Sequence, residues 1–113
     1  MNRRELVQRL VLDEISDDYE NVDQCILRHV AEIGVTYGLT INRPEIVVAL
    51  AELIDGGLAK AYFLPSTEPL QNMPPLDEVE EYFKTYFYIT KKGMDLHLDG
   101  DTPLHLDDAD KPL

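Results

Sequence analysis

The chain of 113 residues has one cysteine, few bases and no long apolar run, and each shortage removes a class of protein. The lone Cys25 permits no intramolecular disulfide, so the fold must rest on its own core, as suits a reducing compartment. No stretch approaches the roughly 20 apolar residues of a membrane span, and no signal-like apolar run follows Arg3-Arg4, so a soluble, cytoplasmic protein is expected. Lys and Arg number 10 against 22 Asp and Glu, a formal net charge of −12. A field of that sign repels nucleic acid and anionic membranes and favours a basic partner. The excess is not confined to one end: residues 95–113 hold six Asp against one Lys, and residues 1–94 hold sixteen acids against nine bases. No nucleophile elbow, phosphate-cradling Gly-rich loop, Cys pair or internal repeat is present. A non-enzymatic chain without cofactor or metal is expected.

What is there is enough apolar content, 44%, for one compact domain with its own core. The stretch Asn42 to Leu58 reads as its organising helix. Asn42 is placed to cap it with Glu45 reaching back, Pro44 falls in the first turn, and Gly56-Gly57 closes it. Ile46, Leu50, Leu53 and Ile54 follow the i, i+4, i+7, i+8 spacing of a buried face. At about 100° per residue the opposite side carries Val48, Glu52 and Asp55, with Glu45 on its flank. An acidic outward face is therefore predicted.

Residues 3–15 place Leu6, Val7, Leu10, Val11 and Ile15 on one helical stripe, with Arg4, Gln8 and Asp13 facing out; such a helix also suits a homodimer contact. The acidic SDDYE that follows reads as a turn. Asn21, with Gln24 three residues on, starts a second helix that buries Val22, Ile26, Val30 and Ile33 and ends at Gly34. Cys25 beside this stripe reads as a small buried apolar residue, and His29 as a core-boundary residue with a hydrogen-bond partner. Residues 35–41 are β-prone and predict a short extended segment. Residues 58–64 and 84–90 read as strands pairing in an antiparallel hairpin, around a Pro-rich loop with a short acidic helix near 76–83. Thr90 is placed to cap a closing helix toward Leu98. Residues 99–113 read as an acidic, mobile tail.

Two local patterns carry a resemblance. The run from Ala49 to Leu58 resembles the end of the third helix in winged helix–turn–helix domains, and Phe87-Tyr88-Ile89-Thr90-Lys91-Lys92-Gly93 resembles the segment closing their wing, as in transcriptional regulators of the PadR and MarR types. The resemblance spans about residues 20–98. It implies an α+β, mostly helical fold: a three-helix core, a two-stranded hairpin as wing and a short C-terminal helix, forming one domain over 1–98 with a long acidic wing at 65–85. It also implies that the third helix enters the DNA major groove and the wing touches phosphates.

Carried over residue by residue, the groove-facing positions are Arg43, Glu45, Val48, Glu52 and Asp55, with one base among them. Phosphate contact needs several. The helix–turn–helix connection is also longer than the usual 3–4 residues. Two readings therefore stand. Either DNA is bound through bases gathered by folding or dimerisation, from Arg3, Arg4, Arg9, Arg28, Arg43, Lys60, Lys84, Lys91 and Lys92, or a winged-helix module binds a basic protein, with Tyr62, Tyr82, Tyr86 and Tyr88 as candidate anchors. The run Asp95-x-His97-x-Asp99 echoes a calcium loop but has His at the third position and Leu106 at the twelfth, where a bidentate Glu is needed.

The assigned helix faces make a direct prediction. Leu50→Ala and Leu53→Ala each destabilise the fold by about 2–5 kcal/mol in denaturant unfolding. Losses below about 1 kcal/mol at both sites would mean that the faces are reversed.

Overall fold

A computed structural model describes residues 1–74 and 85–99. Along the chain run helix α1 (Arg3–Glu14), strand β1 (Glu20–Asn21), a π-helical turn (Val22–Ile26) leading into α2 (Leu27–Thr36), α3 (Arg43–Asp55), β2 (Ala59–Phe63), β3 (Thr85–Ile89) and α4 (Lys91–Leu98). The described residues form an α+β fold, mostly helical, with four α-helices and a three-stranded antiparallel sheet in the order β1-β3-β2. The short helix expected near 76–83 and the tail from residue 100 lie outside the described residues.

Local chemistry sets most of the helix ends. At α1, Asn2 Oδ1 accepts from the Glu5 amide at 2.8 Å. At the second helix, Asn21 Oδ1 accepts from the Gln24 amide at 3.0 Å, so the cap falls where the sequence places it, although the first turn is a wide π-turn. Asn42 makes no such bond, and Glu45 turns away from the helix start to Arg3; the capping box expected there is absent. Both α2 and α3 end in Schellman motifs. Gly38 and Gly57 take φ of 75°, Leu39 N–H donates to Gly34 O at 3.0 Å, and Leu58 N–H to Leu53 O at 2.8 Å. The second helix therefore runs past Gly34 to Thr36.

That extension corrects two further expectations. Residues 35–41 form no strand; they finish α2, turn at Gly38 and lead to α3 with Leu39 and Ile41 buried. Ile33, expected inward, is 41% exposed. Gly34 is instead the buried position, because a side chain there would meet Ile41 Cδ1 at 2.6 Å. A close approach of chain segments, not the end of the helix, explains that glycine.

The hairpin pairs as expected, Ala59 with Ile89, Ala61 with Phe87 and Phe63 with Thr85. Thr85, Phe87 and Ile89 point into the core, and Tyr86 and Tyr88 lie half-buried on the other side. The sheet has a third strand that the sequence reading assigned to a turn: Glu20 and Asn21 pair with Phe87 and Tyr86. Two residues are too few for an alternation pattern to register.

The core joins Leu6 and Val11 of α1, and Ile15 just past its end, to Val22, Ile26 and Val30, to Ile46, Leu50 and Leu53 of α3, and to Phe87. Ile54 packs at its edge, half-buried. Thr90 Oγ1 accepts from Gly93 N–H at 3.0 Å and donates to Gly57 O at 2.7 Å, so one hydroxyl both caps α4 and ties it to the end of α3. Gly93 lies against the Leu58 carbonyl, and a Cβ there would also meet Ile89 Cγ1 at 2.7 Å. Gly93→Ala should therefore lower stability by about 1–3 kcal/mol through overpacking against backbone, read as a drop in unfolding midpoint. An unchanged midpoint would show that α4 is not seated there.

Candidate functional site

The solvent side of α3 is where the sequence directs attention. Val48 is 55% exposed, and Pro44 and Asp55 are exposed beside it. Glu45 and Glu52 are placed differently from expectation. Because α1 lies across α3, its first turns bring basic side chains onto these two acids. Arg3 Nε donates to Glu45 Oε2 at 3.0 Å and Arg3 Nη2 to Glu45 Oε1 at 2.7 Å, a bidentate fork; Nη2 also reaches Thr40 O at 2.7 Å. Arg4 Nε donates to Glu52 Oε2 at 2.6 Å, and Gln8 Nε2 bonds the same oxygen. The hydrogen bonds to Glu45 and Glu52 push the pKa values of Arg3 and Arg4 upward.

The acidic face thus becomes a neutralised one. Glu45 and Glu52 keep 34% and 25% of their side-chain surface. Between α1 and α3 runs an open groove of about 700 Å³, with Val7, Pro44, Val48 and Ala49 along it and the two Arg–Glu pairs at its rim.

The other bases do not gather. Arg9 Nη2 donates to Leu96 O at 2.8 Å, Arg28 Nη2 lies 3.3 Å from His29 Nε2, and Arg43 Nε donates to Asp23 Oδ1 at 2.9 Å. Lys92 Nζ donates to Gly56 O at 2.9 Å. Lys60 and Lys91 are exposed on β2 and at the start of α4. Among the described residues these bases are spread over α1, α2, α3, β2 and α4; Lys84 lies outside them, as do Tyr82 and the acidic run 77–81.

Of the candidate aromatic anchors, Tyr62 and Tyr88 are engaged by Tyr19, a residue without a sequence signal. Tyr19 stacks on Tyr88 with centroids 4.6 Å apart and meets Tyr62 edge-on at 5.1 Å. Burial, then the neighbouring Tyr19 and Tyr88, raises the Tyr62 pKa. Tyr86 is half-buried opposite Tyr62. These rings form the outer packing of the sheet, which leaves Phe63 as the more open aromatic of β2.

His97, from the run that echoes a calcium loop, turns to α1, with Nδ1 2.7 Å from Asp13 Oδ1. Cys25 is half-buried in the π-helical turn. Among the described residues no helix is long and apolar enough to cross a membrane. No family model, curated protein or solved structure matches the chain.

The partly buried fork from Arg3 to Glu45 should show coupling of about 1 kcal/mol in a double-mutant cycle (Arg3→Ala, Glu45→Ala), more than the exposed pair of Arg4 and Glu52. Equal, near-zero couplings in both cycles would mean that the fork does not persist in solution.

Proposed function

We propose that the chain is a non-enzymatic winged-helix module that binds a protein partner through the groove between α1 and α3, its overall negative charge favouring a basic partner, and that it does not dock on DNA. The winged-helix reading is supported by the order of elements, with three helices preceding a hairpin and a short helix following it. Strand β1, on the far side of β3 from β2, ties the first inter-helix connection to the same sheet.

The observation that carries the functional reading is the composition of the exposed α3 ridge. Pro44, Val48 and Asp55 stand on it without a base. The two bases alongside, Arg3 and Arg4, are held by Glu45 and Glu52. Releasing counterions from a duplex requires several bases free to meet phosphates, and a chain of net charge −12 opposes the approach. An apolar floor with charged pairs at its edge matches the layout of a protein interface, where apolar contact sits centrally and polar groups form the rim. The connection Tyr37–Asn42 is also longer than the tight turn that sets two helices for groove docking.

A transcriptional-regulator-like DNA binder is the second reading, favoured by the order of elements alone. The two separate cleanly in one experiment. Fluorescence anisotropy with a labelled mixed-sequence duplex at low salt should give no saturable binding. A photo-cross-linking residue at Val48 should give discrete protein adducts in the native cell, and the same residue at Lys60 should not. Saturable DNA binding that weakens steeply with added salt, or nucleic-acid adducts at position 48, would overturn the reading.

A further inference from the structure

At the other end of α1, about 15 Å along its axis from Arg4, three donors from three elements converge. Glu14 closes α1, Glu20 opens β1, and His29 sits in the first turns of α2. One ligand atom from each lies within 4.8 Å of the other two. Glu14 Oε1 bonds His29 Nδ1. Glu20 Oε2 is shut off from solvent with no hydrogen-bond partner, a costly state for a carboxylate oxygen.

The local charge is one-sided. Asp17 and Asp18 lie in the connection between Glu14 and Glu20, so the acids stand together along this stretch of chain. Among the described residues, no Lys or Arg pairs with Glu14 or Glu20. Arg28 touches the far nitrogen of the His29 ring. Two carboxylates and an imidazole are thus held together with no cation between them.

We propose that Glu14, Glu20 and His29 form a three-ligand site for a divalent transition metal of the zinc class. Two carboxylate oxygens and Nδ1 of His29 supply the donors, and water completes the tetrahedron. An imidazole among the ligands argues against calcium and magnesium, which take oxygen donors, and the mixed N and O set suits zinc. Zinc bonds of about 2.0–2.2 Å put tetrahedral donors roughly 3.4 Å apart, so rotation of the Glu side chains must open the hydrogen-bonded pair Glu14–His29 and draw the wider-spaced donors in by up to an ångström or so. Ligation at Nδ1 places the ring proton on Nε2, and the exposed Arg28 swings away into solvent. His29 keeps 37% of its side-chain surface, which leaves an approach for the ion and its water. The bound metal would staple the end of α1 to β1 and α2, and it would consume the buried oxygen that the fold leaves unmatched.

The test uses the full chain after chelator treatment, titrated with ZnCl₂ by calorimetry and thermal unfolding. The expected result is one ion per chain and a saturable rise in midpoint, with no rise from MgCl₂ at equal concentration. Glu20→Gln and His29→Gln should each weaken zinc at least about tenfold, a loss that removing even an outer hydrogen-bond partner of a ligand can produce. The double variant His97→Gln, His105→Gln should bind as the parent does, which separates this site from the Asp- and His-containing C-terminal stretch. Because Glu20→Gln keeps the volume of the side chain and adds no charge, it should fold, and its Co²⁺ spectrum should lack the tetrahedral absorption of the parent. Absence of saturable zinc binding, or zinc binding unchanged in both Glu20→Gln and His29→Gln, overturns the proposal, as does loss of binding in the His97, His105 variant alone.

Discussion

The packing of α1 across α3 is the contact on which most else depends. Leu6, Val7, Leu10 and Val11 meet Ile46, Ala49, Leu50 and Leu53, all of them buried. Burying a side chain of this size is worth roughly 1.5–3 kcal/mol, several-fold more than any surface ion pair in the molecule. The apolar seam therefore decides the geometry, and the polar groups take the partners that it brings within reach. Arg3 and Arg4 fall beside Glu45 and Glu52 because the seam places them there. Further along the same helix, Arg9 and Asp13 meet Leu96 and His97 and hold α4, and Glu14 is delivered to Glu20 and His29.

This has an electrostatic consequence. An acidic chain with few bases has little cationic surface to present, and here the arginines are largely occupied within the fold. On α3 the pairing removes negative charge rather than creating positive charge, leaving a ridge of Pro44, Val48 and Asp55. Such a surface neither attracts a polyanion nor repels a protein strongly. At the other end of α1 the balance differs, because Glu14 and Glu20 meet without a base. There the fold brings acidic groups together where solvent reaches poorly, and burial, then the neighbouring Glu14, pushes the Glu20 carboxyl up to about 8. One helix thus carries a neutralised groove at its start and an uncompensated donor cluster at its finish, and the two proposals rest on these two ends.

Legibility in the sequence followed the range of the interaction. The stripe Leu6, Val7, Leu10, Val11 and Ile15 was readable because helical period and burial coincide. The strand at 84–90 was readable from its density of aromatic and β-branched residues, and the caps at Asn21 and Thr90 from their side-chain chemistry. Misreadings arose where a local signal had two outlets. Gly34 resembled a helix stop but is a packing position against Ile41, and Gly38 supplies the left-handed residue. Val35 and Thr36 are β-prone, yet they complete α2 because the Schellman closure at Gly38 satisfies its last carbonyls. Asn42 and Glu45 spelled a capping box, but a guanidinium fork offers Glu45 a stronger hydrogen bond than a backbone amide does.

By itself the sequence determined the buried faces of α1 and α3, the two long strands, the α+β class and the excess of negative charge, since each follows from composition or from residues within a few positions of one another. The tertiary structure alone decided that Glu45 and Glu52 are paired, that Glu20 and Asn21 form a third strand, that Tyr19 covers Tyr62 and Tyr88, and that Glu14, Glu20 and His29 converge. In most of these contacts the partners are tens of residues apart in the chain. Periodicity fixes which way a side chain points, but only the packing of one element on another fixes what it meets.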